Sequence, residues 1–81
     1  MKTLFEIEMN ETVEILYIQH NTPMKRRLLD LGFVKGSKVT PVLNSPSKGM
    51  RAYLIKGCKI ALRESQSAQI FVEELGGDDI D

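Results

Sequence analysis

The sequence predicts a mainly β domain, a small barrel of about five strands with one short helix. Its 81 residues are enough for one domain and too few for two. Short runs rich in Val, Ile, Leu and Tyr recur between turn residues, and only one stretch carries both helix start and helix stop signals. A sheet this small is expected to bend and close, because closure removes exposed strand edges.

The first part of the chain predicts a turn followed by a strand. Residues 4–9 alternate apolar and acidic side chains and end at Asn10, which tolerates the left-handed backbone of a turn. The β-rich run 12–19 is the first main strand. Alternation puts three apolar residues, Val13, Ile15 and Tyr17, on one face and Ile18 on the other.

The predicted helix lies between Thr22, a good N-cap, and Gly32, which stands where a glycine commonly ends a helix. Pro23 suits the first helical position. The segment 24–31 makes about two turns, and three apolar residues share one of its faces: Met24, Leu28 and Leu31.

The rest of the chain predicts four further strands. Gly36 and Gly57 supply positive φ for tight turns. Pro41 has no N–H for a ladder, so it is expected at an edge or a bulge. Residues 44–49 read as a loop, and 64–69 as no more than a helical turn. The strands are expected at residues 38–43, 51–56, 59–63 and 70–73.

Charge is distributed unevenly along the chain. The formal net charge is zero, yet five of the eleven acids lie in the last nine residues. We therefore expect a folded domain at 1–73 and an acidic, disordered tail at 74–81. No run is apolar enough for a membrane helix, and the single cysteine, Cys58, cannot form an internal disulfide. These features favour the cytoplasm.

The residues offer no catalytic, cofactor or metal site. His20 and Cys58 are the one His and the one Cys, with no ligand pair at zinc or iron spacing. We expect His20 at the surface and Cys58 as a small apolar residue of a hairpin. The serines lack a nucleophile-elbow context, and no phosphate-binding glycine loop is present. The sequence therefore predicts neither an enzyme nor a GTP-binding protein.

Two sequence blocks resemble the signatures of the FeoA family. Residues 27–37 run from a basic residue through Leu-Leu-Asp-Leu-Gly-Phe to a turn similar to Pro-Gly-Thr. Residues 57–63 are similar to the second block, which ends in Ala-Leu-Arg, and 68–73 resemble the closing strand. The likeness spans 4–73. Three positions depart from the family pattern: Asn10, Lys35 and Cys58.

This resemblance implies an SH3-like barrel in the cytoplasm, working beside the FeoB membrane transporter and its GTP-binding domain. We expect an accessory protein of ferrous iron transport that binds and modulates this transporter by protein–protein contacts. It would reach the inner face of the membrane only through its partner, without inserting into the bilayer. Nucleic acid is not an expected partner, whereas self-association is compatible with this function.

The candidate contact surface surrounds the predicted helix. The bases Lys25, Arg26 and Arg27 supply charge. Leu29 and Phe33 are expected to supply exposed apolar area. Arg27 and Asp30 match the first family block, and Arg63 matches the second. In the alternative interpretation the apolar residues cap the barrel and Asp30 pairs with a neighbouring arginine. The candidates are Lys25, Arg26, Arg27, Leu29, Asp30, Phe33 and Arg63.

Two other functions stay open. A nucleic-acid-binding barrel is favoured by the surplus of bases in residues 1–72, although Tyr17, Phe33 and Tyr53 are scattered and form no obvious stacking platform. Similar barrels also occur as C-terminal domains of iron-dependent repressors. This chain contains no helix-turn-helix, so that role would require a separate partner.

Overall fold

The computed structural model describes residues 2–19, 23–44 and 49–75. Within these ranges the chain is mainly β, as predicted. The strands are β1 (Lys2–Thr3), β2 (Val13–Ile18), β3 (Lys38–Asn44), β4 (Met50–Ile55), β5 (Cys58–Arg63) and β6 (Ile70–Glu74). The helices are a 3-10 turn at Leu4–Glu6, α1 at Lys25–Asp30 and α2 at Glu64–Ser67.

The strands form one antiparallel sheet in the order β1-β6-β2-β3-β4-β5. All five predicted strands are present to within two residues, and β1 adds a short sixth. The predicted N-cap Thr22 and most of the loop 44–49 lie outside the described residues. So does the predicted tail beyond Leu75, whereas Glu74 still belongs to β6. The tail therefore stays a prediction.

A bulge in β2 reverses the predicted faces of its second half. In the pairing with β6, Ile15 faces Val72 and Tyr17 faces Phe71, so one extra residue lies on the β2 side. An extra residue shifts every later side chain to the opposite face. Tyr17 is consequently 43% exposed, and Ile18 is only 4% exposed. The prediction that Tyr17 lies on the same face as Ile15 is wrong.

A second bulge confirms the position expected for Pro41. The β3–β4 register shifts between Pro41 and Leu43. Proline is tolerated there because the hydrogen-bond ladder is already irregular at a bulge. The Pro41 carbonyl accepts a hydrogen bond of 2.7 Å from the N–H of Asn10. Asn10 has φ of 69°, as expected for the turn before β2.

The side chain of Arg51 joins β4 to the segment that follows β1. Its guanidinium donates to the backbone carbonyls of Phe5 and Ile7, at 3.1 and 2.8 Å. It also lies 5.5 Å from the centre of the Phe5 ring, within range of a cation–π interaction. One side chain thus links a central strand to the N-terminal segment.

The buried apolar residues form one cluster contributed by β2 to β6, the 3-10 turn and α1. Its members are Leu4, Ile7, Val13, Ile15, Ile18, Leu28, Phe33, Val39, Tyr53, Ile55, Leu62, Ile70 and Val72. Met24 and Leu31 pack against it, as the predicted helix face required.

The Tyr53 hydroxyl is buried and has no hydrogen-bond partner in the described part of the chain. We predict that Tyr53→Phe leaves the free energy of unfolding unchanged or raises it by up to about 1 kcal/mol, because a buried unpaired hydroxyl is unfavourable. Urea unfolding followed by circular dichroism measures this, with Tyr17→Phe at an exposed ring as the control. A loss above about 1 kcal/mol would show that the hydroxyl has a partner, such as a buried water.

Candidate protein-contact surface

A groove between α1 and β2 is the most distinctive concave surface near the predicted contact residues. Its volume is about 310 Å³. Two lysines and no acid line it. The full lining is Leu16, Tyr17, Ile18, Lys25, Leu29, Phe33 and Lys35. Three of the seven sequence-predicted candidates therefore meet at one place.

The helix wall of this groove follows from residue spacing in α1. Lys25 and Leu29 are four residues apart and so share one face of the helix. Leu28 is fully buried and anchors the helix on the core, whereas Leu29 remains 37% exposed. An exposed leucine thus lies one turn from a lysine along the groove.

The strand wall is built by Tyr17, which the β2 bulge turns outward. Its ring stacks on that of Phe71, with centroids 4.8 Å apart and an angle of 15° between planes. Stacked aromatic rings hold each other in one orientation. The groove therefore has an aromatic wall at Tyr17, and the partly exposed Leu29 belongs to the same lining.

Phe33 forms the floor of the groove and is fully buried. Gly32 has φ of 110°, which turns the chain back so that the Phe33 N–H bonds to the Leu28 carbonyl at 3.0 Å. This turn directs the Phe33 ring into the core. The prediction that Phe33 supplies exposed apolar area is therefore wrong.

The other candidates lie outside the groove lining. Arg26, Arg27 and Asp30 are exposed on α1. In the part of the chain that the structure describes, Asp30 forms no ion pair with either arginine; the one pair found joins Lys2 and Glu74. Arg63 ends β5, about 16 Å along the strand from Cys58, the first residue after the β4–β5 turn. Their role in binding stays a prediction.

Comparison with known proteins identifies the family. The model of the FeoA domain matches residues 2–74. The chain belongs to the FeoA family. No curated protein matches the chain.

Solved structures of the family share this fold. A FeoA-like protein from Clostridium acetobutylicum is 27% identical with a TM-score of 0.85, over 93% of this chain and 87% of that chain. FeoA from Chlorobium tepidum is 26% identical with a TM-score of 0.83, over 94% and 72%. The zinc-complexed FeoA from Stenotrophomonas maltophilia is 30% identical with a TM-score of 0.79, over 90% and 91%. The latter is described as an SH3 domain protein, for which a role as a ferrous iron transport activating factor has been suggested.

These matches confirm the predicted SH3-like class and the membership of an iron-transport family. A manganese-dependent transcriptional repressor also matches this FeoA-family chain, at 20% identity and a TM-score of 0.82, over 91% of this chain and 41% of the repressor. At that identity the likeness shows the fold alone.

The sequence candidates included none of the three β2 residues in the lining, Leu16, Tyr17 and Ile18, and missed two lysines at or near the site. Lys35 lines the groove at the turn where the family resemblance expects a proline. Lys56 lies in the β4–β5 turn with φ of 50°, and a Cβ built on Gly32 would lie 3.5 Å from its side-chain Cδ. Its position beside the end of α1 depends on tertiary packing, which no local signal reveals. The FeoA-family chain thus carries more basic charge around α1 than its helix alone contributes.

A larger concave surface, of about 630 Å³, is lined by Leu16, Val72, Glu73 and the ion pair of Lys2 and Glu74. The nitrogen and oxygen of this pair are 2.9 Å apart. The hydrogen bond raises the pKa of Lys2 and lowers that of Glu74. Because these two charges offset each other, this surface offers less net charge to a partner than the α1–β2 groove.

The described ranges contain neither a cluster of metal-ligating side chains nor a helix that could span a membrane. No group of three or more His, Cys, Asp and Glu residues there could hold a metal ion. The expectation that the chain forms no metal site stays a prediction, and His20 lies outside those ranges. Cys58 lies at the start of β5, in the β4–β5 hairpin as predicted, and its side chain is exposed. No helix of the described chain is long and apolar enough to cross a membrane.

Proposed function

We propose that this chain is a cytoplasmic accessory protein of ferrous iron transport that binds the cytosolic, GTP-binding part of a FeoB-type transporter through the α1–β2 groove. The observation that carries the proposal is a groove that combines the exposed apolar side chains of Tyr17 and Leu29 with two lysines, Lys25 and Lys35. Membership of the FeoA family and the suggested role of the Stenotrophomonas relative support the transport context.

The groove has the make-up of a small protein-binding site. Apolar centres with a polar rim are typical of protein interfaces, and tyrosine is enriched among the residues that contribute most to binding. A volume of about 310 Å³ is at the lower end of the range of small-molecule pockets and suits one or two side chains of a partner. The two lysines favour a partner segment whose apolar side chain is flanked by acids.

Titration of the transporter's cytosolic domain, with and without guanine nucleotide, tests this proposal. We expect Leu29→Ser to weaken binding about tenfold or more, because it removes the apolar wall of the groove. Lys25→Glu combined with Lys35→Glu should weaken it further and reduce its dependence on salt. Leu43→Ser is the matched control, since Leu43 is an exposed leucine of β3 outside the groove lining.

Two outcomes would contradict the proposal. The first is no association under either nucleotide condition, together with normal iron uptake after deletion. The second is equal weakening by the Leu43 and Leu29 substitutions, which would place the contact elsewhere. A salt-sensitive shift with an RNA oligonucleotide would instead support the nucleic-acid-binding alternative.

A further inference from the structure

The last strand in the sheet order, β5, has a free edge, so the expected closure of the sheet leaves at least this edge unpaired within the described residues. It pairs with β4 on one side, and within the described residues no strand pairs with its other side. An unpaired strand edge presents backbone N–H and C=O groups that can bond to another extended chain.

The hydrogen-bond register of β5 identifies the outward groups. The N–H of Glu64 donates to the carbonyl of Gly49 on the β4 side. In an antiparallel pair, alternate residues bond to the neighbouring strand, so the even-numbered residues of β5 face β4. The backbone groups of Lys59, Ala61 and Arg63 therefore point to the free edge.

The end of this edge is already occupied by α2. The Arg63 N–H donates to Oε1 of Gln66 at 2.8 Å, and the Arg63 carbonyl accepts from the Ser67 hydroxyl at 3.3 Å. The open groups are thus the N–H and C=O of Lys59 and Ala61, enough for a short ladder.

The side chains along the edge determine the partner's chemistry. Lys59, Ala61 and Arg63 are exposed on one face of β5, with the small alanine between the two bases. Ile60, on the other face, is only partly buried. Cross-strand neighbours of opposite charge stabilise a sheet, so acids fit beside the bases and an apolar residue fits beside Ile60.

A second copy of β5 fits this edge poorly. Antiparallel self-pairing centred on Ala61 would set Lys59 of each copy opposite Arg63 of the other. Like charges directly opposite each other destabilise strand pairing. The charge pattern therefore selects against self-pairing and for an acidic strand.

We propose that β5 accepts, by strand addition, an extended segment of a partner protein in which acidic and apolar residues alternate. The acids lie beside Lys59 and Arg63, and the backbone bonds to Lys59 and Ala61. This site is separate from the α1–β2 groove and does not depend on the proposed function.

An acetylated peptide of alternating Glu and Val tests strand addition by amide hydrogen exchange, measured by NMR on the full chain. At saturation we expect exchange at the amides of Lys59 and Ala61 to slow about tenfold or more. The amides of Ile60 and Leu62 are internal controls, because they already face β4 and should change little. Lys59→Glu with Arg63→Glu, at exposed side chains, should weaken binding about tenfold.

Two peptides N-methylated at alternate positions distinguish strand addition from charge attraction without altering the protein. A β-strand bonds to its neighbour through every second residue, so only one of the two methylation registers should abolish binding. Equal effects in both registers, or binding without slower exchange at Lys59 and Ala61, would overturn the proposal.

Two further results would also overturn it. If no binding is detected up to about 1 mM peptide, the bases act only to protect the edge from aggregation. If dimerisation of the chain protects the same amides, the occupant is a second copy.

Discussion

Replacing Phe33 by alanine should lower the free energy of unfolding by about 3–5 kcal/mol, because it removes a fully buried ring from the core. A domain of 81 residues has a total stability of about 4–12 kcal/mol, so this variant should be partly unfolded under mild conditions. The Phe33 ring lies under α1, and its backbone N–H bonds to the carbonyl of Leu28. Its loss should therefore loosen the helix as well as the core.

Urea unfolding followed by circular dichroism measures this effect, and Leu29→Ala is the matched control. Leu29 is four positions earlier and 37% exposed, so its truncation should cost about 1 kcal/mol or less. A large difference between the two variants separates a core residue from a surface residue. Similar small losses would instead restore Phe33 to the candidate contact surface.

Replacing Arg51 by methionine should lower the free energy of unfolding by about 2 kcal/mol. Methionine keeps much of the stem packing but removes the donors that reach the carbonyls of Phe5 and Ile7. Hydrogen bonds to charged groups contribute more than neutral ones, and the carbonyls left behind are only partly solvated. The contact with the Phe5 ring is lost as well.

Hydrogen exchange locates the effect of this substitution. We expect faster exchange at the N–H of Ile7, which closes the 3-10 turn on the Leu4 carbonyl at 3.3 Å. Arg63→Met is the control, because the hydrogen bonds formed at Arg63 use its backbone, and it should change stability by less than about 0.5 kcal/mol. If both arginine variants change the free energy of unfolding and the Ile7 exchange rate equally, Arg51 does not hold the N-terminal segment against β4.

Turns and the helix were predictable because their causes are local. Asn10 and Gly32 occupy backbone conformations with positive φ, which few other residues adopt readily, so residue type marks the position. The spacing of Met24, Leu28 and Leu31 likewise identified the buried face of α1 before any packing partner was known. Pro41 marked a bulge because it lacks the N–H that a regular ladder needs.

The candidate surface was predicted less completely, because exposure depends on how elements pack. Alternation predicted Tyr17 on the same face as Ile15, since a period of two cannot reveal the extra residue in β2. Phe33 closely follows the exposed residues Leu29 and Asp30 in the sequence, yet the turn at Gly32 directs it inward. Lys56 approaches Gly32 across more than twenty residues of chain, and no short-range pattern contains that contact.

The mainly β class, the main helix α1, the turn positions and the resemblance to the FeoA family could be predicted from the sequence alone. Each of these rests on residue type, spacing or residue order, which are properties of neighbours along the chain. Three features are visible only in the folded chain: Leu29 and Tyr17 share a groove, Phe33 lies beneath it, and β5 keeps a free edge. Those features arise from strand register and sheet order, which are set by contacts between residues distant in the sequence.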